Sequence, residues 1–178
     1  VLSITQDDNS DILWEELSNA LEEAIANLLE AKEAEGKKLA EDMINRLELI
    51  NENILNISQY STGLIDQYVV KLKDRIKEML QTDIVDEARI SQEVVLYADK
   101  TSIEEEITRL KSHIVQFKEL LQSESIKKAG KRLDFIIQEM NREVNTIGSK
   151  SNCLEITNLV IELKTELEDV REQVQNIE

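Results

Sequence analysis

The chain has 178 residues, a formal net charge of −16, one cysteine, one histidine, four glycines and no proline. Proteins built from strands and loops need many glycine and proline turns, so this composition favours a few long helices. The acidic balance excludes attraction of the whole surface to nucleic acid or anionic membranes, so an RNA- or DNA-binding function requires a local basic patch. A lone cysteine forms no internal disulfide, which predicts a reducing, cytoplasmic location, and no apolar run approaches a membrane span in length.

The first half of the chain carries apolar residues at helical spacing. A stripe of Leu, Ile and Met predicts one helix over roughly 11–60. This helix is expected to continue through Gly36, with a bend there as the alternative, because one interior glycine costs only about 1 kcal/mol. Ser61–Gly63 predicts the turn that ends it. A second helix follows and closes near 81–83, and a shorter helix covers about 86–98.

The second half of the chain predicts three more amphipathic helices. Ser102 predicts an N-cap, which Glu105 completes as a capping box, for a helix whose apolar residues follow 4-3 spacing. A helix over 131–147 comes next, and Gly148 fits a left-handed C-terminal cap. Asn152 predicts the N-cap of the last helix, which keeps 4-3 spacing to the end of the chain.

No segment alternates as a strand does, so the predicted fold class is all-α, with long amphipathic helices in an antiparallel coiled-coil or helical-hairpin arrangement. We divide the chain into a linker over 1–10, a long helical hairpin region over 11–100 and a C-terminal helical domain over 101–178. At least four helices carry heptad stripes, more apolar surface than an elongated chain of this size buries within itself. A homo-oligomer is therefore expected.

One basic segment interrupts this acidic chain. Residues 127–150 contain six Lys or Arg against three acids, a local charge of +3. On a helical wheel, the face opposite the apolar stripe combines cations with carboxamides, which cost helix propensity but suit hydrogen bonds to phosphate, ribose or base edges. Phe135 lies out of phase with the stripe, as a base-stacking ring would. The alternative is a face that packs against another subunit. The predicted RNA-binding residues are Lys131, Arg132, Phe135, Gln138, Asn141, Arg142, Asn145 and Lys150.

Acidic residues and the lone histidine supply the candidate chemistry. Glu139 and Glu143 lie one turn apart and offer oxygen ligands to a divalent cation, with a surface ion-pair ladder as the alternative. His113 shares a helix edge with Glu106 and Arg109, and imidazole is well suited to proton transfer near neutral pH. The alternative is a histidine paired with an acid at a helix interface. Cysteine and histidine are too few for a zinc site.

Residues 130–151 read GKRLDFIIQEMNREVNTIGSKS. They resemble the signature of the bacterial YicC/YloC family, approximately G-[KR]-R-L-D-F-x-x-Q-E-x-N-R-E-x-N-T-[LI]-[GA]-S-K. Glu33–Gly36 is similar to the family's E-x-E-G, and Glu105–His113 is similar to its E-E-[LI]-x-R-L-x-x-H. The ending Val170–Glu178 resembles the family's C-terminus, whereas Ser102 stands where members usually carry Asp. The resemblance covers nearly the whole chain.

The resemblance implies a cytoplasmic endoribonuclease that is helped by a divalent cation, Mn²⁺ or Mg²⁺, and that assembles into ring-like hexamers admitting RNA. It also implies an N-terminal domain ahead of this helical part. Asp134, Glu139 and Glu143 would then hold the cation near the scissile phosphate, and His113 or a metal-bound hydroxide would take the proton. RNA is the expected partner, without DNA or membrane. The competing hypothesis is a non-catalytic helical scaffold or RNA-binding adaptor.

Overall fold

The computed structural model describes residues 10–80, 86–122 and 129–175, and these form six α-helices and no strand. The all-α fold class is therefore confirmed. No helix of the described residues has the length and apolar character needed to cross a membrane. The predicted closing residues 81–83, and all but the last residue of the predicted linker, lie outside the described residues. The helices are α1 (Ser10–Thr62), α2 (Leu64–Leu80), α3 (Glu87–Thr101), α4 (Glu104–Gln122), α5 (Ala129–Lys150) and α6 (Leu154–Gln175).

The first helix confirms the prediction of one long element, since α1 runs unbroken for 53 residues. Gly36 lies inside α1, and a Cβ added there would meet nothing among the described residues within 4 Å, apart from the helix's own backbone. Gly63 is the single residue between α1 and α2, so the turn predicted over 61–63 is reduced to this glycine, and Ser61 and Thr62 still belong to α1. The chain divides into two units, Val1–Glu41 and Asp42–Glu178. The predicted boundary at residue 100 lies inside the second unit.

The second unit contains a bundle made by the C-terminal part of α1 with α4, α5 and α6. Its core is apolar because 4-3 spacing places one or two apolar residues per turn on the same helix face, and Phe117 is the one aromatic ring among its described buried residues. Ion pairs join the helices at the rim: Arg46 donates to Glu166 over 3.0 Å and to Asp169 over 2.8 Å, and Lys118 pairs with Glu48. The buried bundle residues are Met43, Leu47, Ile50, Ile54, Ile57, Ile103, Ile107, Leu110, Ile114, Phe117, Leu133, Ile136, Ile137, Met140, Val144, Ile147, Ile156, Val160, Leu163, Leu167, Val170 and Val174.

A pair of tyrosines joins α2 to α3. The rings of Tyr68 and Tyr97 stack with centroids 3.7 Å apart and planes within 2° of each other. Tyr68 Oη donates a hydrogen bond to Glu93 Oε1 over 3.4 Å. Burial of the ring, and then the Glu93 carboxylate, raise the pKa of Tyr68. Asp86 caps α3 by accepting two backbone N–H groups of its first turn.

Two predicted N-caps were wrong by one residue. Ser102 closes α3 instead of capping α4, since its N–H donates to the carbonyl of Ala98 over 2.9 Å. The first intrahelical hydrogen bond of α4 goes to the carbonyl of Ile103, and that of α6 goes to Cys153 instead of Asn152. Helix ends depend on which carbonyl the first full turn can reach, and side-chain identity sets that only to within about one residue.

Gly148 was predicted to end α5 in a left-handed conformation, and this was wrong. The helix continues to Lys150, so Gly148 has helical neighbours on both sides. A Cβ added at Gly148 would lie 3.1 Å from Cγ1 of Val160 on α6. The absence of a side chain therefore lets α5 and α6 approach closely at this level.

Candidate nucleic-acid interface

A polar groove of about 840 Å³ lies between α5 and α6 in the second unit. The apolar stripe of α5 is buried in the bundle, which leaves the opposite polar stripe to line the groove. Carboxamides donate and accept hydrogen bonds, and cations attract phosphate, so this lining suits a nucleic-acid strand. The lining residues are Gln138, Asn141, Arg142, Asn145, Thr146 and Ser149 of α5, with Lys164, Glu168 and Arg171 of α6.

Asp134 connects the two walls of the groove. Its Oδ1 accepts a hydrogen bond from Nε of Arg171 on α6 over 3.2 Å. Its Oδ2 accepts a hydrogen bond from Nε2 of Gln138 on α5 over 2.7 Å. Both donors line the groove. One carboxylate therefore fixes a groove side chain from each helix.

The groove lining carries three cations and one carboxylate. Arg142 is extended into solvent, with 75% of its side chain exposed, and its nearest carboxylate is Glu139 at 3.9 Å. Lys164 is exposed and forms no ion pair with any residue that the structure describes. Arg171 lies 3.7 Å from the lining carboxylate, Glu168. The lining is thus positive in a chain whose overall charge is −16.

Most of the predicted RNA-binding residues lie in or near this groove. Four of them line it: Gln138, Asn141, Arg142 and Asn145. Phe135 is 61% exposed and occupies the same stripe of α5, one turn before Gln138. Lys131 and Arg132 are exposed in the first turn of α5, and neither is ion-paired within the described ranges.

Lys150 and Glu143, by contrast, face α4. Lys150 Nζ donates to Oε1 of Glu106 over 2.7 Å, and Glu106 is only 5% exposed. Arg109 Nη1 lies 3.5 Å from Oε1 of Glu143, which is also 5% exposed. Arg109 pairs with Glu105 of its own helix as well. These contacts form a polar layer between α4 and α5, away from the groove lining.

His113 lies two turns along α4 from Glu106 and therefore on the same helix face. Its side chain is half-buried, and its Nδ1 is buried without a hydrogen-bond partner among the described residues. Oε2 of Glu106 is in the same state. His113 is not among the residues that line the groove.

The three carboxylates predicted to hold a metal ion have separate partners. Asp134 binds Arg171 and Gln138, Glu139 lies near Arg142, and Glu143 faces Arg109. Within the described ranges, no three His, Cys, Asp or Glu side chains form a group that could hold a metal ion. Asp134, Glu139 and Glu143 of one chain therefore do not fit a shared metal site.

Sequence reasoning missed the α6 wall of the groove, which consists of Lys164, Glu168 and Arg171. Their 4-3 spacing places them in one row beside the apolar seam of α6. That spacing is visible in the sequence. Only the antiparallel packing of α6 on α5 shows that this row, and no other, faces the carboxamides.

The fold and the groove define the class: a helical-bundle protein with a cationic, carboxamide-rich groove suited to an anionic polymer. The chain belongs to the family described as "Endoribonuclease YicC-like, C-terminal", whose model matches residues 57–178. It is similar to "Probable endoribonuclease YicC" of Clostridioides difficile (strain 630), with 51% identity over 175 residues, 97% of this chain and 59% of that protein. A protein of the same name from Haemophilus influenzae (strain ATCC 51907 / DSM 11121 / KW20 / Rd) is 30% identical over 173 residues, again 97% of this chain and 59% of the relative. The chain thus spans 59% of the length of these two curated relatives.

Proposed function

We propose that this chain is the RNA-binding part of an endoribonuclease and that RNA binds in the groove between α5 and α6. The observation that carries the proposal is the lining of this groove by the carboxamides and Arg142 of the YicC-like segment, opposite Lys164 and Arg171. Its donors and acceptors match phosphate, ribose and base edges. The family description and the names of the two relatives supply the reaction type.

Labelled RNA incubated with the full-length protein tests this function directly. Cleavage within the RNA, together with binding that weakens when Arg142 is replaced by Ala, is the expected result. Binding without cleavage under all conditions would support the adaptor hypothesis. Absence of both binding and cleavage would remove RNA from the function.

A divalent cation, Mn²⁺ or Mg²⁺, belongs to the proposal as a requirement of the full-length enzyme. Cleavage is expected to stop with chelator and to return when either ion is added. Glu139 is proposed as the carboxylate that acts near a bound phosphate, because it is half-buried and lies 3.9 Å from the groove residue Arg142. His113 of α4, which lies outside the groove lining, is proposed as the proton acceptor.

We further propose a homo-oligomer, a hexamer by family resemblance, that works in the cytoplasm. The support is a row of exposed apolar side chains in the first part of α1, each between 48% and 69% exposed. Apolar surface of this extent is typical of association surfaces. Light scattering on the protein at micromolar concentration is expected to give several times the monomer mass of 20.5 kDa. A mass near that of the monomer would contradict the proposed homo-oligomer. The exposed apolar row of α1 that supports this proposal comprises Leu13, Trp14, Leu17, Leu21, Ile25, Leu28 and Leu29.

A further inference from the structure

The bridge made by Asp134 is central to the shape of the groove. The Asp134 side chain is 33% exposed and that of Arg171 is 38% exposed, so this pair lies at the partly buried edge between the helices. Both carboxylate oxygens accept hydrogen bonds from groove residues, Arg171 and Gln138. An arginine held through Nε still presents its terminal nitrogens, and in Arg171 one of them, Nη2, is left for another ligand. Nη1 is 3.7 Å from Glu168, and Nη2 has no partner in the part of the chain that the structure describes.

The antiparallel packing brings a second cation to the same wall. The Asp134–Arg171 contact sets the register of α5 against α6. Lys164 lies two turns before Arg171 on α6 and therefore level with the residue two turns after Asp134 on α5, close to Arg142. Both Arg142 and Lys164 line the groove. The groove therefore presents cations from both helices, Arg142 from α5 and Lys164 and Arg171 from α6.

We propose that Arg171 and Lys164 of α6 bind the phosphodiester backbone of RNA together with Arg142, and that Asp134 is a positioning residue that holds Arg171 for this contact. This inference rests on the proposed function and assigns the groove's second wall. A guanidinium fork matches phosphate oxygens in a two-bond geometry, provided that its orientation is held. The Nε contact to Asp134 provides that orientation, and Lys164 adds a point charge that forms no ion pair with any described residue.

This role differs from the metal-ligand role predicted for Asp134 from the sequence. A metal ion on Asp134 would have to displace Arg171 or Gln138 from its oxygens. The two roles also predict opposite effects of Asp134→Leu, which removes both acceptor oxygens, on RNA affinity. Removal of a metal ligand in a positive groove leaves affinity unchanged or higher, because negative charge leaves the surroundings of the phosphate. Removal of the positioning contact lowers affinity, because Arg171 is no longer held.

The test is a double-mutant cycle on RNA binding by the full-length protein. Asp134→Leu, Arg171→Ala and the double variant are titrated with a fluorescein-labelled oligoribonucleotide in chelator, so that no metal ion contributes. Each single variant is expected to weaken binding about tenfold, the size of one lost charge-assisted contact. The double variant is expected to be no weaker than Arg171→Ala alone, because Asp134 acts through Arg171. Unchanged or tighter binding by Asp134→Leu, or additive losses in the double variant, would overturn the positioning role.

Lys164→Ala tests the α6 wall without disturbing the Asp134–Arg171 contact. Lys164 is exposed and outside any described ion pair, so its removal is expected to leave the fold intact. Lys164→Ala is expected to lower the slope of log affinity against log salt by about 0.7, the value for one phosphate contact on a single strand. The matched control is Lys111→Ala, an exposed lysine of α4 outside the groove, whose slope is expected to match wild type. A wild-type slope for Lys164→Ala, equal to that of Lys111→Ala, would overturn the assignment of the α6 wall to phosphate binding.

Failure of this inference and failure of the proposed function have different outcomes. If the wild-type protein binds RNA and Arg171→Ala and Lys164→Ala bind it equally well, the proposed function stands and the role of the α6 wall is contradicted. If the wild-type protein does not bind RNA, both the proposed function and the role of the α6 wall are contradicted.

Discussion

Lys150 Nζ donates a hydrogen bond to Oε1 of Glu106 over 2.7 Å, which joins the last residue of α5 to the first turn of α4. Glu106 is 5% exposed, whereas 31% of the Lys150 side chain is exposed. Removal of the Lys150 side chain leaves the buried Glu106 carboxylate without its ion-pair partner. Removal of the carboxylate leaves a lysine whose ammonium group can reach water. Lys150→Ala is therefore expected to lower the free energy of unfolding by about 3 kcal/mol, and Glu106→Gln by less. Urea denaturation measures both.

Lys164→Ala serves as the control for that comparison, because its exposed ammonium has no described ion pair. Its unfolding free energy is expected to stay within about 0.5 kcal/mol of wild type. Equal losses for Lys150→Ala and Lys164→Ala would show that the contact with Glu106 adds nothing to stability.

Two exposed arginines of α5 are expected to contribute salt-dependent RNA binding. Arg132→Ala and Arg142→Ala should each lower the slope of log affinity against log salt by about 0.7, because each removes one phosphate contact on a single strand. Fluorescence titrations at several salt concentrations give the slopes. Arg89→Ala is the matched control, since Arg89 is an exposed arginine on α3 with 86% of its side chain exposed. Slopes unchanged in both α5 variants would place the RNA elsewhere.

Glu139 is expected to matter for cleavage more than for folding. It is half-buried, and its only ion-pair contact within the described part of the chain is the 3.9 Å approach to Arg142. Glu139→Gln should cut RNA cleavage by the full-length protein about 100-fold, the usual size of a lost catalytic group. The melting temperature should hardly change. Glu162→Gln, an exposed carboxylate of α6, is the control. Full cleavage by Glu139→Gln would remove this carboxylate from the mechanism.

The tyrosine pair between α2 and α3 predicts a pH effect. Burial of Tyr68, followed by the Glu93 carboxylate, raises its pKa above the ordinary phenol value of 10.0. The folded state therefore favours the neutral ring, and the unfolded chain releases its proton at lower pH. The stability that comes from Tyr68 is complete below its ordinary pKa and is lost as pH rises through the raised value. Phenolate absorbance, as the difference between wild type and Tyr68→Phe, gives this pKa directly.

Glu93→Gln separates the two causes of that shift. It should bring the pKa of Tyr68 part of the way back towards the ordinary value, since burial remains. A Tyr68 that titrates at or below the ordinary value in wild type would contradict the packing of Tyr68 against Tyr97 and Glu93.

The helices could be predicted from the sequence because an apolar period near 3.6 residues depends only on local spacing. The α5 wall of the groove followed from the same reasoning, since Gln138 and Asn145 occupy the face opposite the buried stripe. The α6 wall could not be predicted, because its position depends on the register between two helices, which the bundle core sets. In the same way, the basic run at residues 127–150 gave no sign that Lys150 has a buried carboxylate, Glu106, as its partner. The polar layer between α4 and α5 is a product of tertiary packing.

Gly148 has a consequence for selectivity. It lies beside the groove residue Ser149, and a Cβ at its position would press against Val160. The separation of α5 and α6 near Ser149 therefore depends on the absence of a side chain at Gly148. A larger residue there would widen the groove without altering one of its donors or charges. The width of the groove and the charge of its lining can thus change independently. The width depends on the contact between Gly148 and Val160, and neither of these residues lines the groove.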